Sequence, residues 1–114
     1  MAWQKSPPEL VERFGRVMDR FPEVERRQMF GYPAAFVGGN MVTGLHESNW
    51  VVRLPEDEMM NAIREGASPF EPMAGRPMKN FVAIPSDEVA DEAAVERWVE
   101  RAVAHGRTMP PKKK

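Results

Sequence analysis

Two arginines occupy positions from which a guanidinium group could hold an anionic ligand. Arg53 ends an apolar run predicted to be a strand, and Arg76 lies in a loop stiffened by glycine and proline. A guanidinium donates paired hydrogen bonds to carboxylates and phosphates, and methionine adapts to varied binding surfaces. The sequence therefore predicts a partner-binding set on and near this loop: Arg53, Met73, Arg76 and Met78. The alternatives are structural, a salt bridge for Arg53 and a tie from Arg76 to backbone carbonyls.

Two adjacent arginines, Arg26 and Arg27, suggest a second kind of site. Together with Arg53 and Arg76 they could contact the phosphates of a nucleic acid. The formal net charge of −1 argues against this interpretation, because nucleic-acid-binding domains are usually basic. Arginines at a strand edge are more often simply solvated. Nucleic-acid binding is therefore an alternative and not the favoured hypothesis.

The groups that catalysis or metal binding would need are not arranged for that work. The chain has no cysteine, and its two histidines, His46 and His105, are far apart in sequence. The serines stand at predicted caps and turns, where serine bonds the local backbone, and none lies in a Gly-x-Ser-x-Gly motif. We therefore expect no enzymatic activity, no cofactor and no catalytic or metal site. An enzymatic or small-ligand pocket beneath the 67–78 loop is the remaining alternative.

The middle of the chain, residues 29–54, predicts consecutive antiparallel strands. Short apolar runs alternate there with turn sequences, and Gly38-Gly39-Asn40 supplies the positive φ angles of a tight hairpin. Alternation places Trp50 and Arg53 on opposite faces of the last of these strands. The predicted strands begin near Glu25 and cover residues 34–37, 41–45 and 49–54, and one more follows the irregular 67–78 segment at residues 80–84.

Three helices are predicted around these strands. The first begins at Pro7-Pro8, because proline suits the first turn of a helix. The second follows Pro55, and its apolar positions predict a buried face made of Met59, Met60 and Ile63. The last is capped by Asp91, has a continuous apolar stripe at helical spacing and is expected to end at Gly106.

Composition indicates one globular domain. The chain has 114 residues, of which 42% are hydrophobic and 29% charged, an ordinary balance for a single core. The N-terminal sequence has no signal-peptide pattern, and no apolar run is long enough to cross a membrane. We expect a cytoplasmic protein without a membrane contact, folded as a single domain over residues 1–114, with an ordered core at about 6–108 and a disordered basic tail at 109–114.

Several short motifs, taken in order, resemble one family. They are Met29-Phe30-Gly31, the run from Phe36 to Met41, the run from Pro69 to Met78, and Trp98-Val99 followed by Pro110-Pro111-Lys112. This series is similar to the TfoX (Sxy) N-terminal domain family and covers nearly the whole chain. The positions that match the family motif are Met29, Phe30, Gly31, Gly75, Arg76 and Pro77.

The resemblance implies a two-layer α+β fold. Its order would be a helix, three or four antiparallel strands, a helix, two strands and a helix, similar to secretion-chaperone-like domains that often form homodimers. Family members that regulate natural competence have a second, C-terminal domain, and this chain is expected to stand alone after the first. The resemblance therefore implies a non-enzymatic regulatory or protein-interaction domain with an unidentified protein partner.

Overall fold

A computed structural model describes residues 6–29, 31–70 and 80–110. The helices in this part of the chain are α1 (Pro8–Met18), α2 (Glu56–Arg64), α3 (Ser86–Val89) and α4 (Glu92–Thr108). The strands are β1 (Glu25–Met29), β2 (Tyr32–Val37), β3 (Asn40–His46), β4 (Asn49–Arg53), β5 (Ser68–Pro69) and β6 (Phe81–Ala83). The α+β class predicted from the sequence is confirmed.

One antiparallel sheet organises the domain. Its strand order is β1-β2-β3-β4-β6-β5, so the first four strands form a meander and β6 lies between β4 and β5. Gly38 and Gly39 adopt φ angles of 59° and 84° in the β2–β3 turn, as that hairpin requires. The predicted meander and the predicted start of its first strand at Glu25 are confirmed.

The main core lies between the sheet and the helices, on what we call the helix face of the sheet. α1 and α4 contribute most of its helical side chains, and Trp50 of β4 lies fully buried beneath them, with its ring centroid 5.2 Å from that of Phe14. The Trp50 indole N–H donates to the Thr43 hydroxyl at 2.8 Å, and that hydroxyl donates to the Val51 carbonyl at 2.7 Å. The indole therefore enters the core with its polar atom satisfied.

The other side of the sheet, the opposite face, has a smaller apolar cluster. Val51, Phe70, Phe81 and Ala83 are buried there, and Met41 packs against them. Val51 alternates with Trp50 and Val52 of the main core, as the predicted two-sided strand requires. A bulge between β2 and β3 lets β3 turn both Val42 and Thr43 towards the helix face.

The predicted buried face of α2 is wrong. Met60 and Ile63 are 65% and 43% exposed, whereas Ala62 is buried and Met59 packs partly against the core. α2 has nine residues, and its four apolar positions are nearly adjacent, so their spacing does not define a single apolar stripe. Tertiary contact therefore selects the face, and the small alanine allows the helix to approach the core closely.

Two other helix boundaries differ from the prediction. α4 continues through Gly106 to Thr108. Gly106 is buried, and a Cβ at that position would lie 2.6 Å from Val42 Cγ1, so the glycine permits close contact between helix and sheet and does not end the helix. A short separate helix, α3, precedes the Asp91 cap, whose carboxylate accepts bonds from the N–H groups of Ala93 and Ala94 as predicted.

Candidate functional site

Most of the predicted partner-binding loop lies outside the described residues. Met73, Arg76 and Met78 fall there, as do the motif positions Phe30, Gly75 and Pro77. The loop, the pocket proposed beneath it and the predicted tail from residue 111 onward therefore stay predictions. Two other motif positions surround the β1–β2 turn: the backbone of Met29 pairs with Tyr32, and Gly31 has a φ of 84°.

Arg53 is partly buried at the end of β4, on the opposite face of the sheet. Its guanidinium carbon lies 5.7 Å from the centroid of the Phe81 ring, a cation–π distance. Its Nε is buried and has no hydrogen-bond partner among the described residues. Among the described residues, Arg53 therefore contacts the Phe81 ring, and the salt bridge to a carboxylate that was its structural alternative is not found there.

His105 of α4 lies within the electrostatic reach of Arg53. Burial lowers the pKa of His105 below its ordinary value, and the positive charge of Arg53 lowers it further, while Glu58 and Asp57 act weakly in the other direction. This end of the sheet therefore disfavours an additional positive charge.

Arg26 and Arg27 of β1 do not form one basic surface. Arg26 pairs with Ala35 of the main core, so its side chain leaves the helix face, where it makes an ion pair with Asp19. Arg27 leaves the opposite face, bonds Glu25 at 2.8 Å and lies 5.3 Å from the Phe36 ring centroid. Each charge is matched by a carboxylate.

Arg53 is distant from both of these arginines. It belongs to the fourth strand of the sheet order, and three strand spacings correspond to roughly 14 Å. The sheet therefore separates the described members of the arginine set proposed for phosphate contact.

The outer side of β1, which we call the β1 edge, is not paired with any described strand. The direction of its free backbone groups follows from its pairing with β2. Met29 and Tyr32 close a hairpin with two intervening residues, and the pair that closes such a hairpin is hydrogen-bonded. Because bonded and unbonded pairs alternate along antiparallel strands, Arg27–Ala34 and Glu25–Phe36 are also hydrogen-bonded pairs. Pro33, which has no N–H, falls at an unbonded pair with Gln28. The N–H and C=O groups of Arg26 and Gln28 therefore point outward.

A groove runs beside this edge on the helix face, between α1 and β1. Its volume is about 330 Å³. Phe14 lies buried at its base, Val11 at its wall is 39% exposed, and Gly15 leaves it open, with no heavy atom of another element within 4 Å of a Cβ placed there. The remaining lining residues are Arg26, Arg27, Gln28, Pro33 and Ala34. We call this the α1–β1 groove.

The β1 edge and the α1–β1 groove together form the candidate site, a strand available for backbone pairing beside an apolar recess. Sequence reasoning identified Arg26 and Arg27 but missed Val11 and Gly15. Val11 stands at helical spacing with the apolar residues of α1, and spacing alone does not distinguish it from a core residue. The available signal for Gly15 was its place within a helical pattern. A glycine there lowers helix stability, so its presence suggests a packing or functional reason.

Residues 6–29, 31–70 and 80–110 offer neither a metal site nor a membrane-spanning helix. Within these ranges, no three side chains among His, Asp and Glu are grouped so that they could hold a metal ion. Their helices are also too short or too polar to cross a membrane.

The fold defines a class, an α+β domain with helices on one face of a single antiparallel sheet. The sequence matches the TfoX N-terminal domain family over residues 16–106, and the chain belongs to that family. The matched range contains the whole meander, the last three residues of α1 and most of α4. No curated protein matches the sequence.

Proposed function

We propose that this chain is a non-enzymatic regulatory domain that acts in the cytoplasm by binding another polypeptide at the β1 edge and the α1–β1 groove. The observation that carries the proposal is the outward direction of the backbone groups of Arg26 and Gln28 beside an open apolar recess. An extended segment that adds to a sheet edge gains backbone hydrogen bonds, and an adjoining pocket selects its side chains.

Family membership supports this proposal, because the two-domain relatives are regulators of natural competence and the motif positions Met29 and Gly31 surround the turn that ends β1. The ion pairs of Arg26 and Arg27 also favour a polypeptide partner over a nucleic acid. A phosphate backbone would have to displace Asp19 and Glu25 before it could bind those arginines.

The test compares four versions of the chain as bait in lysate from its own cells: wild type, Arg26→Pro, Gly15→Leu and Gly15→Ala. Proline removes the outward N–H of Arg26 but leaves the bonds to β2, and proline is tolerated on edge strands. Leucine fills the α1–β1 groove, whereas alanine improves helix propensity without filling it. We expect wild type and Gly15→Ala to retain the same bound polypeptide and the other two to lose it.

Nuclease treatment and folding controls make the outcome decisive. All four baits should show cooperative thermal unfolding, so that lost capture reports binding. Equal capture by all four would refute the site. Capture that disappears after nuclease treatment, with no polypeptide remaining, would replace this proposal with the nucleic-acid alternative, and binding should then weaken steeply with salt.

A further inference from the structure

The side-chain order on β1 is self-complementary. The strand reads Glu25-Arg26-Arg27, and Glu25 and Arg27 leave the same face, two residues apart, on either side of Arg26. We infer that the β1 edge takes the β1 edge of a second copy, antiparallel, with the two-fold axis at Arg26. This inference rests on the proposed function, because it names the polypeptide that the same edge binds.

The backbone supports this register first. An antiparallel pair centred on Arg26 brings two residues with outward N–H and C=O groups directly opposite each other, which makes a hydrogen-bonded pair. Two residues further along the strand, the outward groups of Gln28 oppose Val24 of the second copy, and symmetry repeats this pair on the other side. Val24 directly precedes β1 and packs on the helix face, as the alternation requires, but its N–H donates to the Phe21 carbonyl at 3.1 Å, so only its carbonyl is available to accept from Gln28. Both backbone groups of Arg26, the N–H of Gln28 and the carbonyl of Val24 therefore find partners across the junction.

The charges support the same register. With Arg26 at the axis, Glu25 of each copy lies opposite Arg27 of the other, at the closer, unbonded type of pair. Each Glu25–Arg27 bond within one strand, 2.8 Å long, can thus be matched by one between strands. Centring the pair on Glu25 or on Arg27 would also place like charges directly opposite each other, and it would bring no Glu25 opposite an Arg27 to offset them.

Only Arg26 meets a residue of its own charge in this arrangement. Its guanidinium is already paired with Asp19 on the helix face of its own copy. Charged side chains on an edge strand normally prevent association with other strands. On β1 they repel arbitrary strands but match this one, so the pattern gives specificity as well as protection.

The grooves add to the contact. Residues directly opposite each other in an antiparallel pair leave the same face, so both copies present their helix faces on one side of a joined sheet. The two α1–β1 grooves then meet across the junction, each with a half-exposed Val11 at its wall. The joined strands therefore continue into an apolar contact beyond the edge itself.

The natural absence of cysteine allows a direct test of register. Glu25→Cys and Arg27→Cys chains are prepared separately and then mixed under mild oxidation. An unbonded antiparallel pair separates its Cα atoms by about 4.5 Å, within the range that a disulfide spans. Two copies of Glu25, or two of Arg27, would be about 8 Å apart in this register, which is too far. We expect mixed disulfide dimers to form at least tenfold faster than disulfides within either single variant.

Charge reversal tests the attraction itself by sedimentation equilibrium. Glu25→Arg places arginine opposite Arg27 at two symmetric positions, so the dimer dissociation constant should rise roughly tenfold. The double variant Glu25→Arg with Arg27→Glu exchanges the two charges and should restore dimerisation. Arg64→Glu, an exposed reversal on α2, is the matched control and should leave the dimer unchanged.

Each outcome separates this inference from the function on which it rests. A wild-type chain that stays monomeric at high concentration, or a dimer that forms disulfides equally well in either single variant, overturns the inference. The proposed function survives that result if Arg26→Pro still loses a different captured polypeptide. Both the proposed function and the inference are refuted if Arg26→Pro changes neither self-association nor capture.

Discussion

β1 and β4 are strands of equal length in the same sheet, but their surroundings are opposite. β4 lies between β3 and β6, and three of its five residues are buried, on both faces. Among the described strands β1 pairs only with β2, and its residues 25–28 are exposed. The two strands therefore have different roles in this sheet, since β4 holds the domain together and β1 is available for contact.

The second edge of the sheet shows that availability is specific to β1. β5 has two residues, Ser68 and Pro69, and a short strand with proline offers little to a further strand. Changes in β4 should therefore alter stability, and changes on the outer side of β1 should alter association. Four substitutions test this division and are taken in decreasing order of their predicted effect.

Replacing Trp50 by alanine should be the most damaging of these changes. The side chain is fully buried against Phe14 in the main core, and removing a buried large side chain costs about 3–5 kcal/mol. Urea denaturation would measure the loss. Arg26→Ala on β1 is the matched control and should shift stability by no more than about 0.5 kcal/mol. Equal losses in the two variants would remove the distinction between the strands.

Thr43→Val should have a smaller effect at the same centre. Valine keeps the shape but removes the hydroxyl that accepts from the Trp50 indole and donates to the Val51 carbonyl. The Trp50 indole N–H then lacks a partner, at a cost of about 1–3 kcal/mol, whereas the Val51 carbonyl keeps the ladder bond of its pairing with Gly44. Thr43→Ser keeps the hydroxyl and should recover part of the loss. If valine were neutral, the buried hydrogen bonds would not contribute to the stability of β4.

The sequence was sufficient to predict β4 because its signals are local. Turn residues on either side set its limits, and strict alternation between Trp50 and Arg53 assigned its faces. The same reasoning located β1 but not its role. Strand order depends on contacts far apart in the chain, so nothing near Glu25 shows that one side of β1 has no described neighbour.

Long-range contact also explains the residues that the sequence assigned wrongly or left without partners. Arg16 of α1 and Arg20, which follows that helix, bond Glu92 of α4, more than seventy residues away, a pairing without a local pattern. The exposed Met60 and Ile63 of α2 have the same character as buried apolar residues. Local spacing therefore predicted most of the elements, but not β5 or α3, while their mutual packing decided which side chains remain available for a partner.

Proline at neighbouring positions of β1 should distinguish the inward from the outward backbone groups of one strand. Arg27→Pro removes an N–H that points inward to β2, and the carbonyl of Ala34 loses its donor, which should cost roughly 1–3 kcal/mol. Arg26→Pro removes an outward N–H and should cost less than about 1 kcal/mol. Denaturation at low protein concentration separates these values from self-association. Equal costs would contradict the assigned hydrogen-bond directions.

The smallest effect concerns the two arginines that leave the opposite face, Arg53 of β4 and Arg27 of β1. Burial is the main reason that the pKa of His105 lies below its ordinary value, and the Arg53 charge is the second. Arg53→Gln should therefore raise the His105 pKa only partly, as NMR titration of the imidazole would show. Arg27→Gln, several strands away, should leave that pKa unchanged.

The same titration predicts the pH dependence of stability. The folded state holds the pKa of His105 below the unfolded value of 6.5, so the unfolded chain binds the proton more readily. The stabilisation is complete above pH 6.5 and is lost as the pH falls through the folded pKa. Arg53→Gln should make this loss shallower, because its His105 accepts a proton more easily while folded. An equal change in Arg27→Gln would show that the effect comes from net charge and not from the position of Arg53 at the end of β4.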